Sequence, residues 1–317
     1  MVNEKEIVIG ILARDCNEQL HINIPRLEVL GSSFKDYHIV IYENDSIDGT
    51  TETLLQWAKR NPHVVSINET TNQQTIPEKS IDTPYPGQSV RRISKMANFR
   101  NRVLKEVRSR YTPDYFMFID IDVLDWNPKD VVNSIEKAPK DWGALFGNGQ
   151  ILLDFKTHMC PNPWQYDYYA FVPYNVNPYE QGDFVVHPTE NVAICWIEQR
   201  LINIKKYHRC NSAFNAIGIY KWEAIEGLEY EAYQTPELKE VNASLCEHVP
   251  FNYSVVNRKF KLYIVRDMKT IMRIDKPYVH HGFAKWKDYI PSYSIIKHDP
   301  KLRKLIWQGI KNYIFKV

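Results

Sequence analysis

The chain has 317 residues, of which 44% are hydrophobic and 25% charged, a composition typical of one elaborated soluble domain with a substantial core. The formal net charge is only +2, from 40 Lys and Arg against 38 Asp and Glu, so no global field attracts nucleic acid and we expect no such partner. Five scattered cysteines without a CxxC pair, no cleaved signal and no run of about 18 apolar residues predict a cytoplasmic protein without a membrane span.

The first half of the chain alternates short β-branched apolar runs with helical patterns, which predicts βαβ units. The predicted strands are 7–12, 37–42, 64–67 and 115–119, and the predicted helices are 17–30, 51–60 and 93–110. Pro25 argues against a regular turn in the middle of the first helix. We therefore expect an α/β fold with a Rossmann-like, mostly parallel central sheet flanked by helices.

Two segments have less regular patterns. Residues 68–88 are polar and contain three prolines, which predicts a loop over the site. Residues 161–179 are rich in aromatic side chains and proline. They can form a sugar-binding loop, because tyrosine and tryptophan faces stack on pyranose rings, or an irregular surface loop held down by its aromatic side chains.

An acidic pair directly follows the apolar strand 115–119. Side chains alternate faces along a strand, so Asp120 and Asp122 point to the same side, at the sheet edge where open α/β sheets bind ligands. Two carboxylates there make a hard oxygen site for Mn²⁺ or Mg²⁺, and such an ion would bridge the diphosphate of a nucleotide sugar. Acidic pairs at strand ends also serve as caps and turn residues without any ligand.

Two further motifs precede this pair. Residues 43–50 (ENDSIDGT) follow the second strand and open a helix, and 96–101 (MANFRN) lie on the helix before the acidic pair. The first motif suits a tight turn whose acidic residue accepts hydrogen bonds from a ribose hydroxyl, and an Asx turn that caps the helix is the alternative. The arginine of the second motif suits bidentate phosphate contact, and a helix-surface ion pair is the alternative.

In this combination the sequence resembles the GT-A glycosyltransferases over most of its first half. The resemblance implies a GT-A type fold and a nucleoside-diphosphate sugar donor. It also implies Arg100 near the phosphates, Asn101 beside the metal loop, Asp122 as the principal metal ligand and Asp120 shared between metal and ribose. In the family the ends of the first two strands hold the nucleoside, which corresponds here to Ala13, Arg14, Asp15, Glu43 and Asp45.

Motifs of the second half extend the resemblance. Residues 211–220 (NSAFNAIGIY) resemble the acceptor-side segment of these enzymes, and Glu247 takes the place of the late acid that removes the acceptor proton in inverting members. A helix-start carboxylate or a satisfied buried Glu–His pair is the alternative. Residues 280–286 (HHGFAKW) resemble, with one residue of altered spacing and no proline, an element of some retaining members. This implies His281 as a metal ligand and Lys285 as a phosphate contact, whereas an ordinary turn is the alternative, and His248 competes for the metal.

Taken together, the motifs are similar to those of the capsule-associated α-1,3-mannosyltransferases of fungi and their bacterial relatives. We expect one GT-A domain over 1–290, with a nucleotide-sugar-binding half 1–125 and an acceptor-side half 126–290, followed by a C-terminal amphipathic tail 291–317. Within the tail, 301–317 place apolar side chains near one helical face with basic residues around them. Such a helix either lies on an anionic membrane as a peripheral contact or packs against the domain.

The leading hypothesis is a metal-dependent glycosyltransferase that moves a sugar from a nucleoside-diphosphate sugar to a hydroxyl of a glycan or lipid-linked saccharide. A sugar nucleotidyltransferase is the second hypothesis, although the segment after strand one (ILARDCNE) lacks the glycine-rich loop that cradles a triphosphate. A non-catalytic carbohydrate-binding protein is the third, and it leaves Asp120, Asp122 and Arg100 without a role.

Overall fold

The computed structural model describes residues 1–74, 76–82, 84–152, 164–165, 167–174, 176–180 and 201–273. The predictions for His281, Lys285 and the tail 291–317 lie outside these residues. No helix among the described ranges is both long and apolar enough to cross a bilayer.

The secondary structure alternates between strands and helices through the first half of the chain, as the sequence predicts. The strands are β1 (Glu6–Ala13), β2 (Asp36–Asn44), β3 (Val64–Glu69), β4 (Tyr115–Asp120), β5 (Asp125–Trp126), β6 (Trp142–Leu152), β7 (Trp164–Gln165), β8 (Val172–Pro173), β9 (Tyr207–Ser212), β10 (Ile217–Lys221) and β11 (Lys261–Arg273). The helices are α1 (Asn17–Gly31), α2 (Thr50–Arg60), α3 (Val90–Arg110), α4 (Pro128–Glu136), α5 (Trp222–Ile225), α6 (Pro236–Glu240) and α7 (His248–Asn257).

A single sheet joins the described strands in the order β3-β2-β1-β4-β10-β6-β11-β9-β8, with β5 added on β11 and β7 on β6. Strands β1 to β4 run parallel, and β10 runs antiparallel to both β4 and β6. The register places Ala13 beside Glu43 and Leu12 beside Asp120. The carboxyl ends of β1, β2 and β4 therefore share one edge, and the predicted α/β fold with helices around a central sheet is confirmed. The sheet is mixed rather than mostly parallel, because β10 pairs antiparallel with β4 and β6, and β9 pairs antiparallel with β11.

Helix α1 runs through Pro25 without a break, which corrects the expected interruption. Pro25 lies on the exposed face of the helix. The carbonyl group that loses its intrahelical partner there can bind water instead. The opposite face of α1 buries Leu20, Ile24 and Leu27 at helical spacing against the sheet, and this packing stabilises the helix.

The core consists of two apolar layers, one on each face of the sheet. Ile7, Ile9 and Ile11 of β1 belong to one layer, whereas Val8 belongs to the other, as expected from the alternation of side chains along a strand. Gly10 faces the second layer, where an added Cβ would lie 2.8 Å from the rings of two phenylalanines on β4. A glycine in β1 thus lets the sheet and α3 approach each other closely.

Candidate active site

A cavity of about 310 Å³ opens at the carboxyl ends of β1, β2 and β4. Side chains of α3 form one wall at positions 92, 96, 99 and 100, which share one face of the helix. The cavity is rich in charge of both signs, a property expected of a site for a phosphorylated ligand and a cation. Its charged lining residues are Arg14, Arg92, Arg100, Asp120, Asp122, Asp167 and Glu247.

The acidic pair lies on this cavity. Asp120 is the last residue of β4, and both Asp120 and Asp122 line the same space. Burial raises the pKa of the Asp120 carboxyl well above its usual value, and the charge of Asp122 raises it further. Burial also raises the pKa of Asp122. Two ionised carboxylates at this place are costly without a cation, and a divalent ion would offset that cost.

His248 begins α7 and lines the cavity together with the acidic pair. Its ring stacks on Phe214 with 4.0 Å between ring centroids, and both ring nitrogens are buried without a hydrogen-bond partner among the described residues. Burial and the charge of Arg100 lower the pKa of His248 well below its usual value, so the imidazole is neutral at pH 7. His248 thus adds a nitrogen donor to the lining that already holds two carboxylates, and Mn²⁺ accepts both kinds of ligand.

Arg100 and Glu247 form a buried ion pair at the back of the cavity. The Arg100 Nε donates to Glu247 Oε1 at 3.0 Å, and both side chains are only 5% exposed. The guanidinium carbon lies 5.0 to 5.7 Å from the ring centroids of Phe118, Phe214 and Tyr230. Burial lowers the pKa of Arg100, but the charge and hydrogen bond of Glu247, together with Tyr230 and Asp120, outweigh that effect and hold the pKa above its usual value. Arg100 therefore lines the cavity as a fixed, permanently charged group.

Two further arginines bring positive charge to the cavity. Arg92, near the start of α3, donates from Nη1 to the carbonyl of Gly87 at 2.9 Å, while its buried Nε has no partner among the described residues. Arg14 follows β1 and donates to the carbonyl of Gln73 at 3.1 Å. An arginine with an unpaired buried N–H can bind a phosphate oxygen without first breaking another contact.

Three acidic residues predicted to contact the nucleoside are not among the residues that line the cavity. Asp15 and Glu43 accept hydrogen bonds from backbone N–H groups of the turn 46–47, at 2.8 and 3.0 Å. Asp45 accepts from the backbone N–H groups of residues 71–72 at 2.8 and 3.0 Å. Glu43 thus closes its own turn, Asp15 ties the segment after β1 to that turn, and Asp45 ties the turn to the segment after β3. These contacts correspond to the alternative in which the acidic motif forms a turn. By contrast, Ala13 lies on the cavity as predicted by position.

Asn101 does not reach the acidic loop, in contrast to its predicted place. Its Nδ2 donates to the carbonyl of Tyr230 at 2.8 Å, and its Oδ1 accepts from the N–H of the same residue at 2.8 Å. Both the amide nitrogen and the amide oxygen of Asn101 are therefore bonded to the Tyr230 backbone, and Asn101 is not among the residues that line the cavity. Asn101 instead holds the Tyr230 ring in the aromatic group around Arg100.

Asp167 is a cavity residue that the sequence analysis did not select. It lies within the aromatic segment 161–179, directly before a short 3-10 helix, with a positive φ of 69°. Burial and the neighbouring charge of Glu247 raise the pKa of Asp167 to about 6, although backbone N–H groups of Ala170 and Asn215 act in the opposite direction. A lone aspartate among aromatic residues in an irregular stretch was the available signal. Tyr169 of the same segment also lines the cavity.

Several solved structures are similar to the chain at low sequence identity. One is the structure of the mannosyltransferase PcManGT from Pyrobaculum calidifontis in complex with GDP-Man and Mn²⁺, with 9% sequence identity and a TM-score of 0.45. The match covers 87% of this chain and 59% of the PcManGT chain. For S. aureus TarS 1–349 the identity is 10%, the TM-score 0.42 and the coverage 84% and 60%. For GalNAc-T7 with UDP, GalNAc and Mn²⁺ the identity is 12% and the TM-score 0.46, and the match covers 86% of this chain and 44% of the GalNAc-T7 chain.

These solved structures are longer than the chain, which spans about 60% or less of their lengths. A search of the curated proteins finds no match. The model of one protein family, described as Cryptococcal mannosyltransferase 1, matches residues 17–227, which is more than half of the chain. That range contains the acidic turn, the arginine-bearing helix and the acidic pair. The match confirms the predicted resemblance to GT-A glycosyltransferases related to the capsule mannosyltransferases. The chain belongs to the Cryptococcal mannosyltransferase 1 family.

Proposed function

We propose that the protein transfers a sugar from a nucleoside-diphosphate sugar to a hydroxyl of a glycan or lipid-linked saccharide, in a reaction that depends on Mn²⁺ or Mg²⁺. The observation that carries the proposal is that Asp120, Asp122 and His248 line one cavity together with three arginines. Family membership supports sugar transfer, and this donor set supports the metal. Because the matching family is described as a mannosyltransferase, GDP-mannose is the first donor to test.

Asp122, Asp120 and His248 would hold the ion, whose charge would stabilise the departing nucleoside diphosphate. Arg92 has a free buried N–H and would bind a phosphate oxygen, while Ala13 and Arg14 would contact the nucleoside at the end of β1. The positions of these residues at strand and helix ends support this arrangement, because such ends form the ligand edge of open α/β sheets.

Two carboxylates compete for the proton of the acceptor hydroxyl. Glu247 takes the position that the sequence resemblance implies, but its Oε1 already accepts a hydrogen bond from Arg100 Nε at 3.0 Å within a buried ion pair. Asp167 has a pKa raised to about 6 by burial and by Glu247, which suits a base that works near neutral pH. We assign the base to Asp167 and assign Glu247 to the positioning of Arg100.

The proposal is tested by measuring nucleoside diphosphate release from GDP- and UDP-sugars, with and without an acceptor, in Mn²⁺ and after chelation. We expect turnover to require the metal and to fall by at least ~100-fold in Asp122→Ala. The variant Asp167→Asn should lose kcat with little change in donor KM, by about 100- to 10,000-fold if it is the base. Undiminished turnover in Asp122→Ala would remove the central assignment.

A lipid-linked acceptor would lie at a membrane, so the proposal leads to a test of membrane binding by the tail. If residues 301–317 form an amphipathic helix on an anionic membrane, the protein should sediment with vesicles that contain anionic lipid, and deletion of 301–317 should abolish this binding. If the helix packs against the catalytic domain instead, the deletion should lower the stability of the protein and vesicle binding should be absent from both forms.

A further inference from the structure

A second group of metal-ligand side chains lies at the opposite end of the sheet from the cavity. Asp36 and His38 are at the start of β2, two residues apart and thus on the same face of the strand. His63 directly precedes β3, the edge strand, and its carbonyl accepts the N–H of Ile39 on β2. The residues come from two adjacent segments that only the folded sheet brings together.

The donor atoms of the three residues converge. His38 Nε2 lies 3.5 Å from Asp36 Oδ2, His63 Nδ1 lies 3.4 Å from Asp36 Oδ1, and one ligand atom from each residue falls within 4.8 Å of the others. Two ligands at ~2.0–2.1 Å from a tetrahedral zinc ion are roughly 3.3 Å apart. The two nitrogen-to-oxygen distances are close to this edge length, and they join the two imidazoles to different oxygens of the Asp36 carboxylate. A small adjustment of that carboxyl group would bring one of its oxygens to an ion that both imidazoles bind.

The two imidazole rings are held in place by aromatic neighbours. His38 stacks on Tyr111 with 4.1 Å between ring centroids, and His63 stacks on Tyr37 with 4.4 Å. Asp36 accepts the backbone N–H of Tyr37 at 2.8 Å through Oδ1. Ligands fixed before binding lose less entropy when the metal arrives.

The group is separate from the catalytic cavity. Asp36 and Asn44 are the first and last residues of β2, and only Asn44 lines the cavity. Eight residues of extended strand span about 26 Å, so the two places are too far apart to share an ion. Their ligand chemistry differs as well, because a site with two imidazoles and one carboxylate prefers Zn²⁺ to the oxygen-preferring Mg²⁺.

We propose that Asp36, His38 and His63 bind a zinc ion that ties the edge strand β3 to β2. With three protein ligands, the fourth tetrahedral position is left for water. The ion would act as a cross-link between the beginning of β2 and the turn before β3, since an edge strand is held by a neighbouring strand on one side only. A metal ion that binds only to the folded state stabilises that state relative to the unfolded chain.

The test is calorimetric titration of the chelator-treated full chain with Zn²⁺ alone, repeated for four variants. His63→Ala and Asp36→Asn should each lower the zinc affinity of the proposed site by at least ~10-fold. Loss of a residue that binds the metal directly should cost at least as much affinity as loss of a residue that only hydrogen-bonds to a ligand. His21→Ala, a histidine exposed on α1, is the matched control and should bind zinc like the parent chain. Asp122→Asn reports on zinc that enters the catalytic cavity, and the proposed site should persist in it.

Thermal melting provides the second measurement. Zinc should raise the melting temperature of the parent chain and of His21→Ala, whereas this rise should shrink or vanish in His63→Ala. Excess Mg²⁺ should not displace the ion. Equal zinc affinity in His63→Ala and the parent chain would overturn the proposal and leave the group as histidine–aspartate ion pairs, and so would zinc binding that disappears only in Asp122→Asn.

Discussion

Replacement of Glu247 by glutamine tests whether the cavity wall is held together by its buried ion pair. The pair is 3.0 Å long with both side chains 5% exposed, so removal of the negative charge leaves the Arg100 guanidinium uncompensated in a buried place. Loss of one partner of such a pair costs about 3–5 kcal/mol of unfolding free energy. Glutamine still accepts a hydrogen bond from Arg100 Nε, and the three rings around the guanidinium remain. We therefore expect Glu247→Gln to lower the unfolding free energy by ~3 kcal/mol, at the lower end of this range.

Arg100→Ala should cost more, near ~5 kcal/mol, because it also removes the contacts with those rings and leaves a buried carboxylate. Replacement of both residues, as Arg100→Met with Glu247→Leu, should cost much less than the two single losses added together, since neither charge is then left alone. The assay is urea unfolding followed by circular dichroism, with the slope of the unfolding free energy against urea compared between variants.

Arg102→Ala is the matched control for these variants. Arg102 also lies on α3 and pairs with Glu69 at 2.9 Å, but its side chain is 53% exposed, so its loss should change stability only slightly. A Glu247→Gln variant that loses less than ~1 kcal/mol, or single and double variants whose losses simply add, would refute the reasoning that the pair is buried and coupled.

Three further predictions concern residues that do not line the cavity. Asn101→Ala should destabilise the chain by about 1–3 kcal/mol in urea unfolding, because the backbone groups of Tyr230 lose both of their side-chain partners. Burial alone would raise the pKa of Asp45, but hydrogen bonds from Thr71 and its neighbours hold it well below its usual value. The stability that Asp45 contributes should therefore be complete above pH ~4 and fall as pH drops toward the folded-state pKa, so the deficit of Asp45→Asn in pH-dependent unfolding should shrink in acid. Gly10→Ala should cost about 1–3 kcal/mol by thermal or urea unfolding, since the new methyl group lies 2.8 Å from two rings, and an unchanged stability would show that the core relaxes at this point.

The parallel half of the sheet was predictable from the sequence because its signals are local. Strand β4 is a short apolar run bounded by polar residues, and the predicted strand 115–119 falls within Tyr115–Asp120. The acidic pair follows it directly, so alternation along the strand was enough to place Asp120 and Asp122 on one cavity. Helix α1 through Pro25 was the exception, since tertiary packing of its buried face overrides the local effect of proline.

The rest of the site depends on contacts between distant parts of the chain. Arg100 and Glu247 are 147 positions apart, and nothing in either motif reveals that they neutralise each other. The role of the acidic residues in the turn after β2 could not be predicted either. A carboxylate that binds a ribose and one that binds a neighbouring turn have the same sequence pattern. Asp167 was missed because irregular backbone has no periodicity from which its direction could be predicted.

The most direct test of the account is the dependence of donor binding on metal and on Asp122. Calorimetric titration with GDP- and UDP-sugars should detect binding to the parent chain in Mn²⁺, little binding after chelation, and a loss of at least ~100-fold in affinity in Mn²⁺ for Asp122→Asn. Equal donor affinity with and without Mn²⁺, or in Asp122→Asn and the parent chain, would contradict the claim that the acidic pair holds the ion that binds the diphosphate.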